Sequence, residues 1–351
     1  NIFGLGSRLQ KKKIKDNLIN TFQLGFDYMN QKDQRDRYRN DFGEQGENVF
    51  SQQEKFSSLG VYALNQIEFE NGVLFRLGSR FDSNKISTDN TNQSIVLNKI
   101  NPSFGVTYNI NNKSNFFMTL GTSFETPTLN ELSNNPTGGM GFNKDLEPIS
   151  SLSYEYGWKG YFNRSSFEII GYNIFSSNEI LPFELEKYPG KNFYTNVGET
   201  SRVGLEFNWN YSFPSSIISL SYTLSNNEFK SYELNGLQLK GNKIPGVPNE
   251  LFDLSMLYNF KNDFNLKVDY QYVGERFADN LNLTKIDSHS LLGIRLSKPF
   301  NINKIKLTSF LGINNLLNER YFDNIKLNAF GKRYYEPAPD RNIYLGADIS
   351  F

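Results

Sequence analysis

Asn342-Ile343-Tyr344-Leu345-Gly346-Ala347-Asp348-Ile349-Ser350-Phe351 decides the fold. Ile343, Leu345, Ala347, Ile349 and Phe351 alternate with Asn342, Tyr344, Gly346, Asp348 and Ser350. Side chains of a strand point to opposite faces in turn, so this period of two predicts a strand with one apolar and one polar face. The pattern repeats upstream. Ile305, Leu307, Leu311 and Ile313 oppose Lys306, Thr308 and Asn314. Phe264, Leu266, Val268, Tyr270 and Tyr272 oppose Asn265, Lys267, Asp269 and Gln271. Val203, Leu205, Phe207, Trp209 and Tyr211 oppose Gly204, Glu206, Asn208 and Asn210.

The connections alternate as regularly as the faces. Tight ones fall at Lys15-Asp16-Asn17, Glu70-Asn71-Gly72, Asn111-Asn112-Lys113, Asn163-Arg164-Ser165, Pro214-Ser215, Lys261-Asn262-Asp263 and Asn301-Ile302-Asn303. Their Asn, Asp, Gly and Pro content is turn chemistry. Long polar stretches lie between them, at Gln31–Gln53, Ser87–Asn98, Thr126–Ser150, Glu179–Thr195, Lys230–Asn249, Ala278–Asp287 and Asn318–Asp340. Short turns on one side and long loops on the other are the pattern of a transmembrane antiparallel β-barrel, with turns toward the periplasm and loops outside. A soluble sandwich or propeller would show evenly spaced turn signals or a fixed repeat instead.

Composition agrees. Aromatics reach 15%, with 31 Phe and 20 Tyr, yet mean hydropathy is −0.53. Lipid-facing residues alternating with wet ones, joined by polar loops, reconcile the two values. Lys+Arg and Asp+Glu are 37 each, so no basic stripe argues for nucleic acid. Without Cys and with one His, a Cys/His metal site, a thiol nucleophile and a Ser-His-Asp grouping have no support, and no catalytic residue is assigned. Gly138-Gly139-Met140-Gly141 lacks the Lys-Ser/Thr of a phosphate loop. No run of 18 apolar residues suggests a membrane helix. The N-terminal Asn1-Ile2-Phe3-Gly4-Leu5-Gly6 reads as strand rather than signal peptide. Counting segments gives an odd number, about fifteen, whereas bacterial single-chain barrels have even numbers. The expectation is therefore one partial barrel domain over residues 1–351, with its first strands missing.

Several segments, in order, resemble the TonB-dependent receptors of Gram-negative outer membranes. Leu24-Gly25-Phe26-Asp27-Tyr28 and the charged run to Asn40 look like a mid-barrel hairpin of that family. Phe124-Glu125-Thr126-Pro127-Thr128-Leu129-Asn130-Glu131-Leu132 resembles its R-x-P-x-L-x-E-L segment, with Glu125 in place of the usual basic or small residue. Asp145-Leu146-Glu147-Pro148 with Tyr154-Glu155-Tyr156-Gly157-Trp158-Lys159-Gly160 resembles D-L-x-P-E…Y-E-x-G-x-K-G. Asn196-Val197-Gly198 with Arg202-Val203-Gly204-Leu205-Glu206, then Ile244-Pro245-Gly246-Val247-Pro248, Asn314–Tyr321 and Arg333–Arg341, resemble later family segments. The resemblance implies the last fifteen or so strands of a siderophore-receptor-like barrel of about 22 strands, its plug domain absent from this chain. It implies import of a scarce nutrient, a ferric siderophore above all, across the outer membrane of a Gram-negative bacterium. Power would come from a TonB–ExbB–ExbD complex acting through the missing N-terminal region, with outer-membrane lipids and the barrel assembly machinery as further partners. It also makes Phe351 the C-terminal assembly signal. No cofactor is implied. A passive porin and a scaffold barrel of a larger envelope complex are the alternatives.

Specificity belongs in the loops, where a rigid scaffold presents variable chemistry. Two stand out: Arg35, Arg37, Tyr38 and Arg39 with Lys32, and Lys332, Arg333, Tyr334 and Tyr335 with Lys326. Arg offers a fork of donors and Tyr a flat amphipathic face, which suits an anionic chelate. The same loops carry Asp33, Asp36, Asp41 and Glu336, so internally paired, solvated charge is the competing reading. His289 precedes a strand and is read as a bystander.

Overall fold

The computed structural model describes residues 1–89, 93–138, 141–234, 236–302, 305–333 and 335–351. Fifteen strands form one antiparallel sheet in which sequence neighbours are sheet neighbours throughout. They are β1 Ile2–Lys15, β2 Leu18–Asp41, β3 Glu44–Phe69, β4 Val73–Thr88, β5 Ser94–Asn111, β6 Ser114–Glu125, β7 Ile149–Phe162, β8 Ser165–Glu184, β9 Asn192–Ser212, β10 Ser216–Ser231, β11 Glu250–Asn259, β12 Asn265–Val273, β13 His289–Ile302, β14 Ile305–Asn314 and β15 Asn342–Ser350. One short helix, α1 Leu129–Ser133, interrupts the β6–β7 loop. All seven predicted tight turns fall between strands; in the last, Asn303 lies outside the described residues, as do Gly139, Met140 and Tyr334.

The chain divides into two compact units. One comprises Asn1–Tyr108, Met118–Tyr154 and Ile174–Thr200; the other comprises Asn109–Phe117, Glu155–Asn173 and Ser201–Phe351.

In the first unit the register aligns side chains into rows across β1–β5. Ser7, Phe26, Val61, Phe81 and Ile100 form one row; Leu9, Leu24, Ala63, Ser79 and Pro102 form the next. Every large apolar residue in these rows is solvent-exposed, Leu9 by 73% and Ile100 by 63%. The opposite face carries Arg8, Gly25, Tyr62, Arg80 and Asn101 in register. There Arg80 bridges Asp27 at 2.8 Å and Asp82 at 2.7 Å and lies over the Tyr62 ring. That ring occupies the space above Gly25, where a Cβ would overlap it.

The second unit repeats the arrangement. Leu296, Leu311 and Leu345 share one row and Phe300, Leu307 and Ile349 another, with Leu345 exposed by 80%. Pro299, Thr308 and Asp348 lie on the other face, and the Tyr344 ring covers Gly312.

Buried apolar clusters sit at the loop ends rather than under the mid-strand rows. Ile86, Leu132, Phe142 and Leu146 form one in the first unit. Ala278, Ile286 and Ala329 form one in the second. A sheet that buries its loop-end contacts and exposes its mid-strand apolar face matches a hydrocarbon surround, not water.

The loop ends depart most from the sequence reading. Gln31–Gln53, expected as a loop, is almost wholly strand: β2 and β3 pair from Leu18↔Phe69 to Asp41↔Glu44, with shifts beside Tyr38. Phe42 and Gly43, at φ 55° and 101°, make the two-residue tip, the left-handed pair that matches strand twist. Charged residues alternate as well as apolar ones do, so polarity alone did not end the strand. Glu179–Thr195 likewise shrinks to a loop of 185–191. Thr126–Ser150 is a connection as far as residue 148, with β7 beginning at Ile149, and Thr128-Leu129-Asn130-Glu131 forms a capping box at the start of α1.

The face assignment predicts a depth-dependent asymmetry. Leu345→Arg, near the middle of β15 on the apolar face, is expected to cost about 2–4 kcal/mol when the full-length protein folds into phosphatidylcholine vesicles. Thr308→Arg, on the polar face, is expected to cost far less. Equal costs would reverse the assignment.

Candidate ligand-binding site

The far half of the β2–β3 hairpin builds the most elaborate polar cluster of the first unit. Its centre is Glu54, a carboxylate 1% exposed. Arg35 reaches it from the neighbouring strand, Nε to Oε1 at 2.8 Å and Nη2 donating to Oε2 at 3.1 Å. Ser133 Oγ donates to Oε1 at 2.7 Å from the end of α1, and Gln52 Nε2 donates at 3.1 Å. Burying a carboxylate is costly unless a cation and hydrogen bonds compensate it, and Glu54 has both.

Two more cations stand beside this pair. Arg37 lies over the Phe50 ring at 4.9 Å and donates to Asn134 Oδ1 at 3.4 Å. Lys191, from the β8–β9 loop, lies 4.9 Å from the Phe193 ring centre and 5.7 Å from that of Tyr188. Among the described residues no carboxylate lies within ion-pair distance of either. Burial, then repulsion from Arg35, pushes the Arg37 guanidinium below its ordinary pKa, against a smaller opposing pull from Glu54. Burial, then Arg37, does the same to Lys191. Mutually repelling, partly desolvated cations favour an added anion. A cleft of about 620 Å³ opens on the Arg35 side of the cluster, lined by Asp33, Arg35, Asp36, Glu54, Pro127 and Asn130 among others; Arg37 and Lys191 do not line it.

The nearby carboxylates are engaged elsewhere. Asp36 is held below its usual range by hydrogen bonds from Ser51 and Gln34, and Asp33 accepts from Gln31. Arg35 is thus ion-paired, but with the buried Glu54 rather than with Asp33, Asp36 or Asp41 of its own hairpin end. Tyr38 and Arg39 are exposed near the hairpin tip, outside the cluster.

The second candidate group lies in the other unit. Lys332 ends a 3₁₀ turn over Phe330–Lys332, and Arg333 Nε donates back to Phe330 O at 3.2 Å. Tyr335 is stacked on Phe322, ring centres 4.3 Å apart, so its face is already covered. Tyr334 lies outside the described residues. A polar cleft of about 640 Å³ in this unit is lined by Asp253, Asp269, Tyr321, Asp323 and Asn342 among others, not by these residues. His289 stacks on Tyr321, ring centres 4.7 Å apart. Among the described residues no group of three His, Cys, Asp or Glu side chains could hold a metal ion.

The family model described as TonB dependent receptor-like, beta-barrel matches residues 5–316. The chain belongs to that family. A TonB-dependent receptor barrel accounts for the single sheet, the tight-turn and long-loop ends, and the exposed apolar rows. Among curated proteins the chain is 25% identical over 237 residues to the vitamin B12 transporter BtuB of Vibrio vulnificus, covering 66% of this chain and 35% of that protein. Among solved structures it is similar to the ferric citrate transporter FecA in its unliganded form, with a TM-score of 0.79 at 18% identity. That similarity covers 99% of this chain and 54% of FecA. The siderophore receptor PiuA of Acinetobacter baumannii gives a TM-score of 0.74 at 20% identity, over 99% and 55%. The chain spans about half the length of these structures.

Sequence reasoning missed Glu54 and Lys191. Glu54 directly follows the polar stretch Gln31–Gln53, and only the β2–β3 register and the fold of α1 reveal its partners. Glu54→Ala is expected to remove about 3 kcal/mol of local stability by leaving the Arg35 charge uncompensated. Hydrogen exchange should quicken at residues 33–37 and stay unchanged at residues 22–26. Unchanged exchange at both would show that Glu54 does not hold the strand end.

Proposed function

We propose that this chain forms the larger part of the barrel of an outer-membrane receptor that binds and imports a scarce, anionic metal chelate, a ferric siderophore above all. In this reading the short turns face the periplasm and the long loops and the β2–β3 hairpin stand outside. Further strands complete a barrel of about 22, a plug closes its lumen, and a TonB–ExbB–ExbD complex supplies energy. Support for completion comes from the sheet order, where among the described residues β1 is hydrogen-bonded to β2 alone and β15 to β14 alone; an open edge in lipid leaves backbone groups unpaired. Lumen-facing polar networks such as Arg80–Asp27–Asp82 suit a wet interior against a plug.

The observation that carries the substrate class is the pair of cations Arg37 and Lys191, which repel each other beside an Arg35–Glu54 pair that is already neutralised. A ferric chelate with carboxylate or catecholate oxygens would supply the missing negative charge, and charge-assisted bonds from Arg are strong and directional.

The test uses the full-length protein with ferric citrate, a ferric tris-catecholate and vitamin B12 as probes. One of the two anionic ferric chelates should bind, and Arg37→Glu should weaken it roughly ten-fold or more, the worth of one charge-assisted contact. Growth on that chelate as sole iron source should require TonB. Binding of vitamin B12 alone, or uptake indifferent to TonB, would contradict the proposal.

A further inference from the structure

The turn end of β1 carries a charge pattern that nutrient capture does not use. Lys11, Lys12, Lys13 and Lys15 end the strand. The pairing of β1 with β2 puts Lys11 beside Phe22, Lys13 beside Asn20 and Lys15 beside Leu18, all continuing the apolar face of Leu9 and Leu24. Lys12 points to the polar face beside Thr21. Three lysines therefore stand in file on the side that meets lipid, just below its most exposed apolar rows.

The rows they occupy carry aromatic rings on the same face. Across the sheet, the Lys11 row continues to Leu77 and Phe104, and the Lys13 row to Ile67, Phe75 and Val106. Phe75 packs edge-on against Phe69 at 6.1 Å and near Phe104 at 6.5 Å. Rings at strand ends mark the membrane interface, where headgroups begin. At that depth a lysine lays its stem on apolar surface and its ammonium among phosphates. All three lysines are exposed, and among the described residues no carboxylate lies within ion-pair distance of them. The neighbouring acids are Asp16 and Glu70 in the turns below, and Glu68, which the register puts on the opposite face.

We propose that Lys11, Lys13 and Lys15 form a binding row for the headgroup phosphates of anionic glycerophospholipid in the periplasmic leaflet, anchoring the turn end of β1. The leaflet rests on the orientation given under Proposed function; the lipid chemistry rests on the register.

Native mass spectrometry of the full-length protein, titrated with dioleoyl phosphatidylglycerol against dioleoyl phosphatidylcholine, tests the row. Wild type should prefer phosphatidylglycerol. K11Q/K13Q/K15Q should lower that preference roughly ten-fold or more, since each lysine near an anionic surface contributes several-fold. K11R/K13R/K15R should retain it, which separates charge from folding. An undiminished preference in the glutamine variant overturns the proposal. The chain has no native cysteine, so Lys15→Cys reads the leaflet directly. An impermeant maleimide should label it only after the outer membrane is permeabilised. Labelling in intact cells would overturn the orientation, whatever the lipid titration shows.

Discussion

Backbone hydrogen bonding in a medium that offers none is the constraint on which this structure rests. Hydrocarbon cannot pair an N–H or a C=O, so each strand must find its partners in neighbouring strands. Fifteen strands joined in simple sequence order meet that demand through local hairpins. Once the ladder exists, side chains have only two directions, and the period of two sorts them. Leucine and phenylalanine are left exposed on one face, and arginine, aspartate and tyrosine are tied together on the other. The usual rule of apolar burial is inverted through mid-strand and returns only where loops fold over one another.

The same ladder explains how a precise polar site can stand far out from the membrane. β2 and β3 continue pairing well past the length needed to cross it, up to Asp41↔Glu44. Strand register, not loop conformation, delivers Arg35 to Glu54. The helix α1 then brings Ser133 to the same carboxylate, and its neighbours Asn130 and Asn134 hold Arg35 and Arg37. With Glu54 matched by Arg35, Arg37 and Lys191 remain as excess positive charge on rigid supports. In the second unit, loop rigidity comes from amides instead: Asn280 and Asn328 bond reciprocally, and Asn242 donates to the Asn280 carbonyl.

What was legible in the sequence followed from periodicity. Strands such as Asn342–Ser350 and Asn265–Val273 announce themselves because apolar and polar residues alternate, and Asn-rich turns separate them. Residues 31–41 hid their strand character because both faces are polar beyond the membrane, so alternation has no hydropathy contrast to show. Tyr335 looked available because its stacking partner, Phe322, is brought to it by a ladder within the last loop. Glu54 could not be singled out from the other carboxylates, since burial is a property of three separate segments meeting. The capping box over Thr128–Glu131 is readable as well, inside the polar stretch Thr126–Ser150.

The central claim is that the apolar rows touch lipid and the polar rows do not. Single cysteines carrying a bimane fluorophore, in full-length protein folded into vesicles of brominated phosphatidylcholine, measure this residue by residue. Positions 24, 77 and 345 should be strongly quenched, and positions 23, 76 and 308, on the other face, should not. Equal quenching on both faces, or quenching of the polar rows alone, would contradict the account.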